Sequence, residues 1–306
     1  MPVIADRVLV SVNNILFATD FSEASKKAAA YAKALALNFR SKVDVVHVFD
    51  PSVVTSYVEA VVGLPVKERR QIYDKEVEQA RKEFADAGLT AQASSPEAHR
   101  PWAAILQFAR EHDTDMIVAG THSKWGVERM VTGSTAEELI RSATCPVLTV
   151  GPNAKDPAPG PLVFRSIVYA TDFSPEAAKA AAYALSFAQD SGAHLYLCYV
   201  IDPHVSPEPC EFLDAPFKAA LKQLIPESSY DWCSPEVVVE HGDAGPAILE
   251  LAERVNADLI VLGARNASFW LTHMEHGLTP DLLAEASCPV MTVCQDGRPA
   301  SESHRN

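Results

Sequence analysis

The chain has 306 residues, of which 48% are hydrophobic and 22% are charged, a balance typical of a globular protein with buried cores. Its formal net charge of −14 argues against a nucleic-acid partner, because binding to phosphates requires a basic face. No apolar run approaches the roughly 20 residues of a membrane helix and the N-terminus lacks the pattern of a signal peptide, so we expect no membrane segment and a cytoplasmic protein.

Two strand patterns and one helix pattern open the chain. The short apolar run "NNILFAT" (13–19) predicts a buried strand, and the β-branched run "VDVVHVF" (43–49) predicts a second one. Between them, small apolar residues recur at helical spacing, with Ser22 or Asp20 available as the N-terminal cap. These residues therefore predict a strand–helix–strand unit.

Alternation of helices and strands continues to residue 150. The stretch 67–88 predicts an amphipathic helix that ends at Gly88 and turns four side chains inward: Ile72, Val77, Ala80 and Phe84. The next patterns are a helix, a strand, a helix and a strand: "AAILQFAREH" (103–112), "DMIVAG" (115–120), "STAEELIRSA" (134–143) and "PVLTV" (146–150). This order predicts an open α/β domain, with a parallel sheet covered on both faces.

The second half of the chain repeats the first. "ILFATDFS" (15–22) returns as "IVYATDFS" (167–174), 152 positions later, and "DMIVAG" (115–120) returns as "DLIVLG" (258–263), 143 positions later. A period of this length belongs to a domain rather than to a solenoid repeat.

The repeat predicts two homologous domains in tandem. We place them at residues 1–150 and 162–306, consistent with the length of the chain. The stretch between them, "GPNAKDPAPGP" (151–161), is rich in proline and glycine and has no apolar period, so it is interpreted as a linker.

Three strand ends of the first half carry residues suited to ligand binding. Asp20 follows the first strand, Val48 lies at the end of the second, and Gly120 ends the "DMIVAG" strand. In open parallel sheets, ligands bind beyond the carboxyl ends of the strands, at the point where the strand order reverses. The sequence therefore predicts a site at this edge.

A helix start near residue 134 has a pattern that suits an anion. Gly133 precedes Ser134, which forms a capping-box pattern with Glu137, so free backbone amides would point outward there. Many α/β proteins begin helices with the same residues. The pattern by itself leaves both a phosphate site and an ordinary helix start open.

In combination, these motifs resemble the universal stress protein family. The resemblance is carried by "ATDFS" after the first strand, by "HVFDP" (47–51) after the second, and by a Gly-x-x-Gly, nine residues, Gly-Ser/Thr loop that leads to "CPV". It implies two tandem, open, five-stranded parallel-sheet sandwiches of the Rossmann-like, adenine nucleotide alpha hydrolase-like type. It further implies that the domains pair through their last strands as a pseudo-dimer, so that "PVLTV" lies beside "PVMTV" (289–293).

The resemblance also implies a nucleotide pocket in the first half, for ATP or AMP with or without Mg²⁺. Ala18 and Asp20 would border the adenine and the ribose, and Val48 would offer its backbone to the adenine. The ribose and phosphates would be held by five further residues: Gly120, Ser123, Gly133, Ser134 and Thr135. Ser123 stands where the family has glycine; serine is disfavoured there if the backbone needs a positive φ, yet it still offers an N–H to phosphate.

The second half departs further from the family's phosphate loop. It keeps Asp172 and Gly263, but Asn266 replaces the second glycine, and His276–Gly277 stand where Gly-Ser is expected. Pro280 removes an N–H donor and suggests a helix that begins late, with proline at its first position. We therefore expect one nucleotide per chain, held by the first half, and a second half kept for structure and pairing, with a different ligand as the alternative.

Two other residue groups have ordinary and functional interpretations. His273 and His276 could bind a metal together with other side chains, although loop histidines are more often solvated. The candidates to complete such a set are Cys198, Cys210, Cys233 and His241. The six cysteines form no CxxC pair, which indicates reduced thiols.

Three functions fit the sequence. The first is a stress-response regulator that binds an adenine nucleotide and acts by conformational change or partner recruitment. The second is slow ATP hydrolysis, although the sequence identifies neither a catalytic base nor a metal ligand for it. The third is a ligand-free scaffold of paired domains, and a homodimer stays open in each case. The sequence favours the first.

Overall fold

The structure is a computed structural model of the chain, and it describes residues 10–52, 64–121, 134–202, 211–264 and 278–294. Strands and helices alternate along these residues, as the sequence predicts. Every helix among them is too short or too polar to cross a bilayer.

The first half contains five strands and four helices among the described residues. They are β1 Asn14–Ala18, α1 Glu23–Phe39, β2 Lys42–Val46, α2 Val66–Asp86, β3 Ala91–Ser94, α3 Pro101–Glu111, β4 Met116–Gly120, α4 Ser134–Ser142 and β5 Val147–Val150. The sequence analysis did not predict β3, because its residues "AQAS" are neither β-branched nor strongly apolar. Every other element of this half was predicted.

The described second half repeats the order, with one added turn of 3₁₀-helix at Glu227–Asp231. Its elements are β6 Ser166–Ala170, α5 Pro175–Ser191, β7 His194–Ile201, α6 Glu211–Lys222, β8 Ser234–His241, α7 Ala244–Arg254, β9 Leu259–Ala264, α8 Leu278–Glu285 and β10 Val290–Cys294.

The contacts divide the described residues into two units. One comprises Val12–Gly120 with Asp156–Leu162, and its four parallel strands follow the order β3-β2-β1-β4. The other comprises the described residues from 121 to 155 and from 163 to 294, together with residues 10–11, and its strands follow the order β5-β10-β9-β6-β7-β8. In the first unit, β2 and β3 lie on one side of β1 and β4 lies on the other; in the second, β7 and β8 lie on one side of β6 and β9 lies on the other. The strand order therefore reverses beside β1 and beside β6, which are the switch points of the two sheets.

Strand β5 lies beside β10, within the second of these units. The pairing is antiparallel, with Thr149 opposite Val290 and Val147 opposite Thr292. The buried Thr149 hydroxyl donates to the carbonyl of Val290 at 3.0 Å, which satisfies the hydroxyl in the dry seam. The prediction that "PVLTV" pairs with "PVMTV" is confirmed. The domain limits 1–150, 151–161 and 162–306 rest on the repeat and stay a prediction.

One prediction about helix α2 is wrong. Val77 and Phe84 are buried, but the Ile72 side chain is 44% exposed. The covered stripe instead continues toward the N-terminus through Tyr73 to Arg69, whose guanidinium donates to the carbonyl of Pro51 at 2.7 Å. Near its N-terminus, α2 is therefore covered at Tyr73 and Arg69, whereas the apolar periodicity of the sequence predicted that Ile72 would be buried there.

The described cysteines are buried, free thiols. Burial raises the pKa of Cys233 to about 11 and those of Cys198 and Cys288 to about 12, so these thiols stay protonated at neutral pH. The other two, Cys145 and Cys294, are also buried and unpaired as disulfides. Packing explains these buried cysteines, and the free thiols agree with the reduced state that the sequence indicates.

We expect the melting temperature to be the same with and without a reducing agent. A disulfide would contribute about 2–4 kcal/mol, and its reduction would lower the melting temperature by several degrees. Differential scanning calorimetry measures the shift, and thiol titration of the denatured chain should return all six cysteines. A clear drop in melting temperature on reduction would contradict the assignment of free thiols.

Candidate functional site

The repeated "ATDFS" motif is a strand-to-helix turn in both halves. Phe21 and Phe173 have φ of 62° and 59°, a left-handed conformation that residues other than glycine rarely adopt. The hydroxyls of Thr19 and Thr171 each accept a hydrogen bond from the backbone N–H of that phenylalanine at 3.0 Å. The threonine thus stabilises the turn that carries the following aspartate past the end of the strand.

The serine of the motif begins the next helix. Ser22 caps α1 by accepting from the N–H of Ser25, and Ser174 caps α5 by accepting from the N–H of Ala177, both at 3.2 Å. Each serine has an extended backbone, as an N-terminal cap requires. The sequence offered Ser22 or Asp20 as the cap, and the structure assigns that place to Ser22.

Asp20 is held in place by neighbouring serines. Its Oδ1 accepts hydrogen bonds from the Ser22 N–H at 3.1 Å, the Ser22 hydroxyl at 2.6 Å and the Ser25 hydroxyl at 2.5 Å. In the second half, Asp172 Oδ1 accepts from the Ser174 N–H at 2.9 Å, but Ala177 stands where Ser25 would supply a hydroxyl. Ser25 thus gives Asp20 a hydroxyl donor that the second half lacks at the equivalent position, and Asp20 itself is exposed.

Four of the predicted site residues lie at the carboxyl edge of one sheet. Ala18 is in register with Val46 of β2 and with Ala119 of β4, so the strands β1, β2 and β4 end at the same level. Ala18, Asp20, Val48 and Gly120 follow or close these strands. The edge lies beside the switch point, as predicted, and the role of the four residues in binding stays a prediction.

Packing explains why residue 120 is glycine, and the sequence analysis did not identify this reason. A Cβ atom there would lie 2.5 Å from the carbonyl carbon of Ala24 and 2.6 Å from the backbone nitrogen of Ser25. At Gly263, a Cβ would lie 2.6 Å from the Cα of Ala177. In each half the first turn of a helix passes directly over the strand end, so glycine is required whether or not a ligand approaches.

The other four predicted residues belong to the loop and helix after β4. Ser123 and Gly133 lie outside the described residues. Helix α4 begins at Ser134, where the capping-box pattern placed it, and Glu137 lies in its first turn. Thr135 is half-buried in the same turn, within the unit that also contains β5.

An aromatic group covers the end of β2. Phe21, His47 and Tyr73 stack against one another, with ring centroids of the last two 4.7 Å apart and 22° between their planes. The His47 Nδ1–H donates to the carbonyl of Thr19 at 2.9 Å, and burial lowers the pKa of His47, so the imidazole is neutral at pH 7. Helix periodicity did not identify Tyr73, because the tyrosine packs at the rim of the helix face.

A cavity of about 220 Å³ lies at the carboxyl edge of the second half. Its lining comes from the ends of β6, β7 and β9 and from the start of α7. Buried side chains contribute Cys198, Ile248 and Leu262, while exposed residues contribute the carboxylates Asp172, Asp202 and Asp243. The sequence analysis assigned this half to structure and pairing, with a different ligand as the alternative, and did not predict the cavity.

The residue before helix α3 differs in charge from its counterpart before α7. Both helices have 11 residues, and they are preceded by Arg100 and Asp243, respectively, 143 positions apart. A positive side chain at the edge of the first half is thus replaced by a negative one in the second. An alignment of the two halves across the residues before α3 and α7 would have revealed this reversal of charge from the sequence alone.

Helix α8 begins earlier than predicted. It starts at Leu278 with Pro280 as its third residue, so the expectation that proline takes the first helical position is wrong. The first turn of a helix has no intrahelical partner for its N–H groups and therefore accepts a proline at several positions. Asn266 and His276–Gly277 lie outside the described residues.

The candidate metal ligands are not brought together within the described part of the chain. His241 Nε2 lies 2.8 Å from Asp214 Oδ1, Cys198 is buried, and no group of three metal-binding side chains forms among described residues. His273, His276 and Cys210 lie outside the described residues.

Comparison with known proteins identifies the same protein family in both halves. The model of the Universal stress protein family matches residues 11–151 and 164–293. Universal stress protein MJ0531 of Methanocaldococcus jannaschii is 33% identical over 147 residues, which span 44% of this chain and 80% of that protein. Universal stress protein YxiE of Bacillus subtilis is 32% identical over 149 residues, spanning 45% of this chain and 98% of that protein.

A solved structure shares the fold along nearly the whole length. The crystal structure of a universal stress protein from Archaeoglobus fulgidus superposes with a TM-score of 0.71 and covers 94% of this chain and 98% of its own. The sequence identity is 19%, so this likeness concerns the fold alone.

Proposed function

Starting from the fact that this chain belongs to the universal stress protein family, with two such domains in tandem, we propose that it is a stress-response regulator that binds one adenine nucleotide in its first half. The ligand is ATP or AMP, and its binding acts through a change of conformation or the recruitment of a partner. We assign no catalytic residue.

The oriented carboxylate of Asp20 is the observation that supports this proposal most directly. Its Oδ1 is occupied by Ser22 and Ser25, which fix the side chain at the strand edge. A carboxylate held in this way accepts a hydrogen bond from a ribose hydroxyl without first losing rotamer freedom. Ala18 and Val48 lie at the ends of the adjacent strands, where the backbone can meet a flat base.

Two features of the first half favour the negative charge of the phosphates. Helix α4 begins at Ser134, so its first N–H groups and its dipole attract an anion. Arg100 adds a positive side chain before α3, where the second half has Asp243. Both favour nucleotide binding in the first half over the second.

The direct test is mass spectrometry of the denatured, freshly purified protein, followed by titration calorimetry with ATP and AMP. We expect an adenine nucleotide to be released, or to bind with a stoichiometry of one per chain. Failure of both nucleotides to bind the intact chain would favour the ligand-free scaffold.

Asp20→Ala should weaken nucleotide binding by roughly 1.5–3 kcal/mol, because the ribose loses a charged acceptor. This corresponds to about a 10- to 150-fold increase in Kd, measurable by calorimetry. Asp20→Asn keeps an oxygen for the serine hydroxyls and should show a smaller loss.

The matched control is Asp172→Ala, at the equivalent position of the second half, which should leave the nucleotide affinity unchanged. Melting curves of all variants test whether the fold is intact. Equal affinity in Asp20→Ala and the parent chain would remove Asp20 from the site.

A further inference from the structure

The cavity of the second half combines apolar walls with a negatively charged rim. Cys198, Ile248 and Leu262 are almost fully buried, and the half-buried ring of Tyr199 adds an aromatic surface. The ring stacks on Phe217 of α6, with centroids 4.2 Å apart and planes 12° apart, so its position is fixed by packing. This part of the cavity suits the apolar body of a ligand.

Three carboxylates surround the opening. Asp172 follows β6, Asp202 follows β7, and Asp243 precedes α7, and all three are exposed. Of the described residues that line the cavity, none is lysine, arginine or histidine. The charged side chains among these described lining residues are therefore all carboxylates, and they carry negative formal charge at pH 7.

The ionisation of nearby groups agrees with a negative potential. Burial raises the pKa of Tyr199, and the charges of Asp172 and Asp202 raise it further. Burial likewise raises the pKa of the Cys198 thiol, with a second contribution from Glu240. The cation whose charge reaches Cys198, Arg254, is hydrogen-bonded to Glu240, which offsets its field.

Size and charge together define the class of ligand. The volume of about 220 Å³ is below the roughly 300–1,000 Å³ of drug-sized sites, so the cavity suits a small molecule. A phosphate group would be repelled by the rim, whereas a cation would be attracted to it. We propose that the second half binds a small organic cation, a protonated amine with an apolar body, in this cavity.

This site goes beyond the proposed function and does not depend on it. The nucleotide is assigned to the first half, where Arg100 takes the place of Asp243. The two halves would then have diverged toward ligands of opposite charge on the same fold.

The test uses three probes of similar size and shape on the full chain at pH 7 and low salt. They are 2-phenylethylammonium, 2-phenylethanol and phenylacetate, which differ in charge. We expect calorimetry to show the ammonium binding at least about tenfold more tightly than the alcohol, a difference of about 1.4 kcal/mol, and phenylacetate not binding. Low salt is needed because the exposed carboxylates are screened beyond about 10 Å at 0.1 M.

Asp202→Asn removes one charge from the rim and should lower the preference for the ammonium over the alcohol at least about threefold, since the attraction is electrostatic. Asp50→Asn, the equivalent change in the first half, is the matched control and should leave the preference unchanged. Melting curves exclude unfolding as the cause.

Several results would overturn the proposal. They are equal affinity for the ammonium and the alcohol, no binding of the ammonium at about 10 mM, an equal effect of the two variants, or competitive displacement of the ammonium by ATP. None of these results, apart from displacement by ATP, bears on nucleotide binding in the first half, which Asp20→Ala tests separately.

Discussion

Gly120→Ala is expected to destabilise the protein by at least about 3 kcal/mol, at the upper end of what overpacking produces. The added methyl would lie 2.5 Å from the carbonyl carbon of Ala24 and 2.6 Å from the nitrogen of Ser25. Both atoms belong to the backbone of the first turn of α1, which cannot move without disturbing the Ser22 cap and the hydrogen bonds of Asp20.

Chemical denaturation measures this loss, and the melting temperature should fall by about 6–12 °C if each kcal/mol lowers it by about 2–4 °C. Gly263→Ala, the same change in the second half, should have a comparable effect because its methyl meets the backbone of Ala177. Gly88→Ala is the control: its space is open and only its φ of 83° is strained, so we expect about 1 kcal/mol. Equal losses at Gly88 and Gly120 would contradict the packing argument.

This expectation affects how the nucleotide site should be probed. A loss of binding in Gly120→Ala would combine a folding defect with any effect on the ligand. Asp20 is the better probe because its residue is exposed and its carboxylate accepts hydrogen bonds from Ser22 and Ser25 in the turn that begins α1.

One nucleotide per chain is the second result with a large expected effect. Both halves keep the aspartate after their first strand, so this residue does not distinguish them. The residues that would bind the phosphates differ between the halves, and they determine which half binds the nucleotide. In the first half, helix α4 begins at Ser134, and its amides and dipole favour an anion, each contact contributing up to about 1–2 kcal/mol when partly buried. In the second half, Pro280 in the first turn of α8 removes one donor.

The lost contacts should together amount to a few kcal/mol, or roughly two decades in affinity. Gly133→Val should therefore abolish binding by the whole chain, because a branched side chain would fill the space of the phosphate. Gly277→Val, in the His276–Gly277 pair that stands in place of Gly133–Ser134 in the second half, should have no effect on it.

Titration calorimetry of the parent and of both variants gives the stoichiometry and the affinity. The charge reversal between Arg100 and Asp243 strengthens the expected difference. Two equal sites, or a crystal with nucleotide in the second half alone, would contradict the assignment to the first half.

The sequence by itself determined the architecture, because the signals for it are local. The signals are apolar runs of strand length, helical spacing of alanines and serine caps. Each acts within a few residues, so it predicts its element without any knowledge of distant contacts. The repeat of "ATDFS" has the same basis: Thr19 and Thr171 stabilise the same turn in each half. The pairing of β5 with β10 was anticipated through the family resemblance and is confirmed by the register.

Only the tertiary structure decided what surrounds the strand ends. The need for glycine at position 120 comes from a helix start that is distant in sequence. The exposure of Ile72 likewise follows from which face of α2 is covered, since Arg69, Val77 and Phe84 are the buried residues of that helix. The cavity beside Asp172 forms where four segments of the second half meet. Such features depend on contacts between residues that are far apart in the chain. The periodicity of a sequence indicates which face of a helix or strand is apolar, but it does not indicate what packs against the ends of that element.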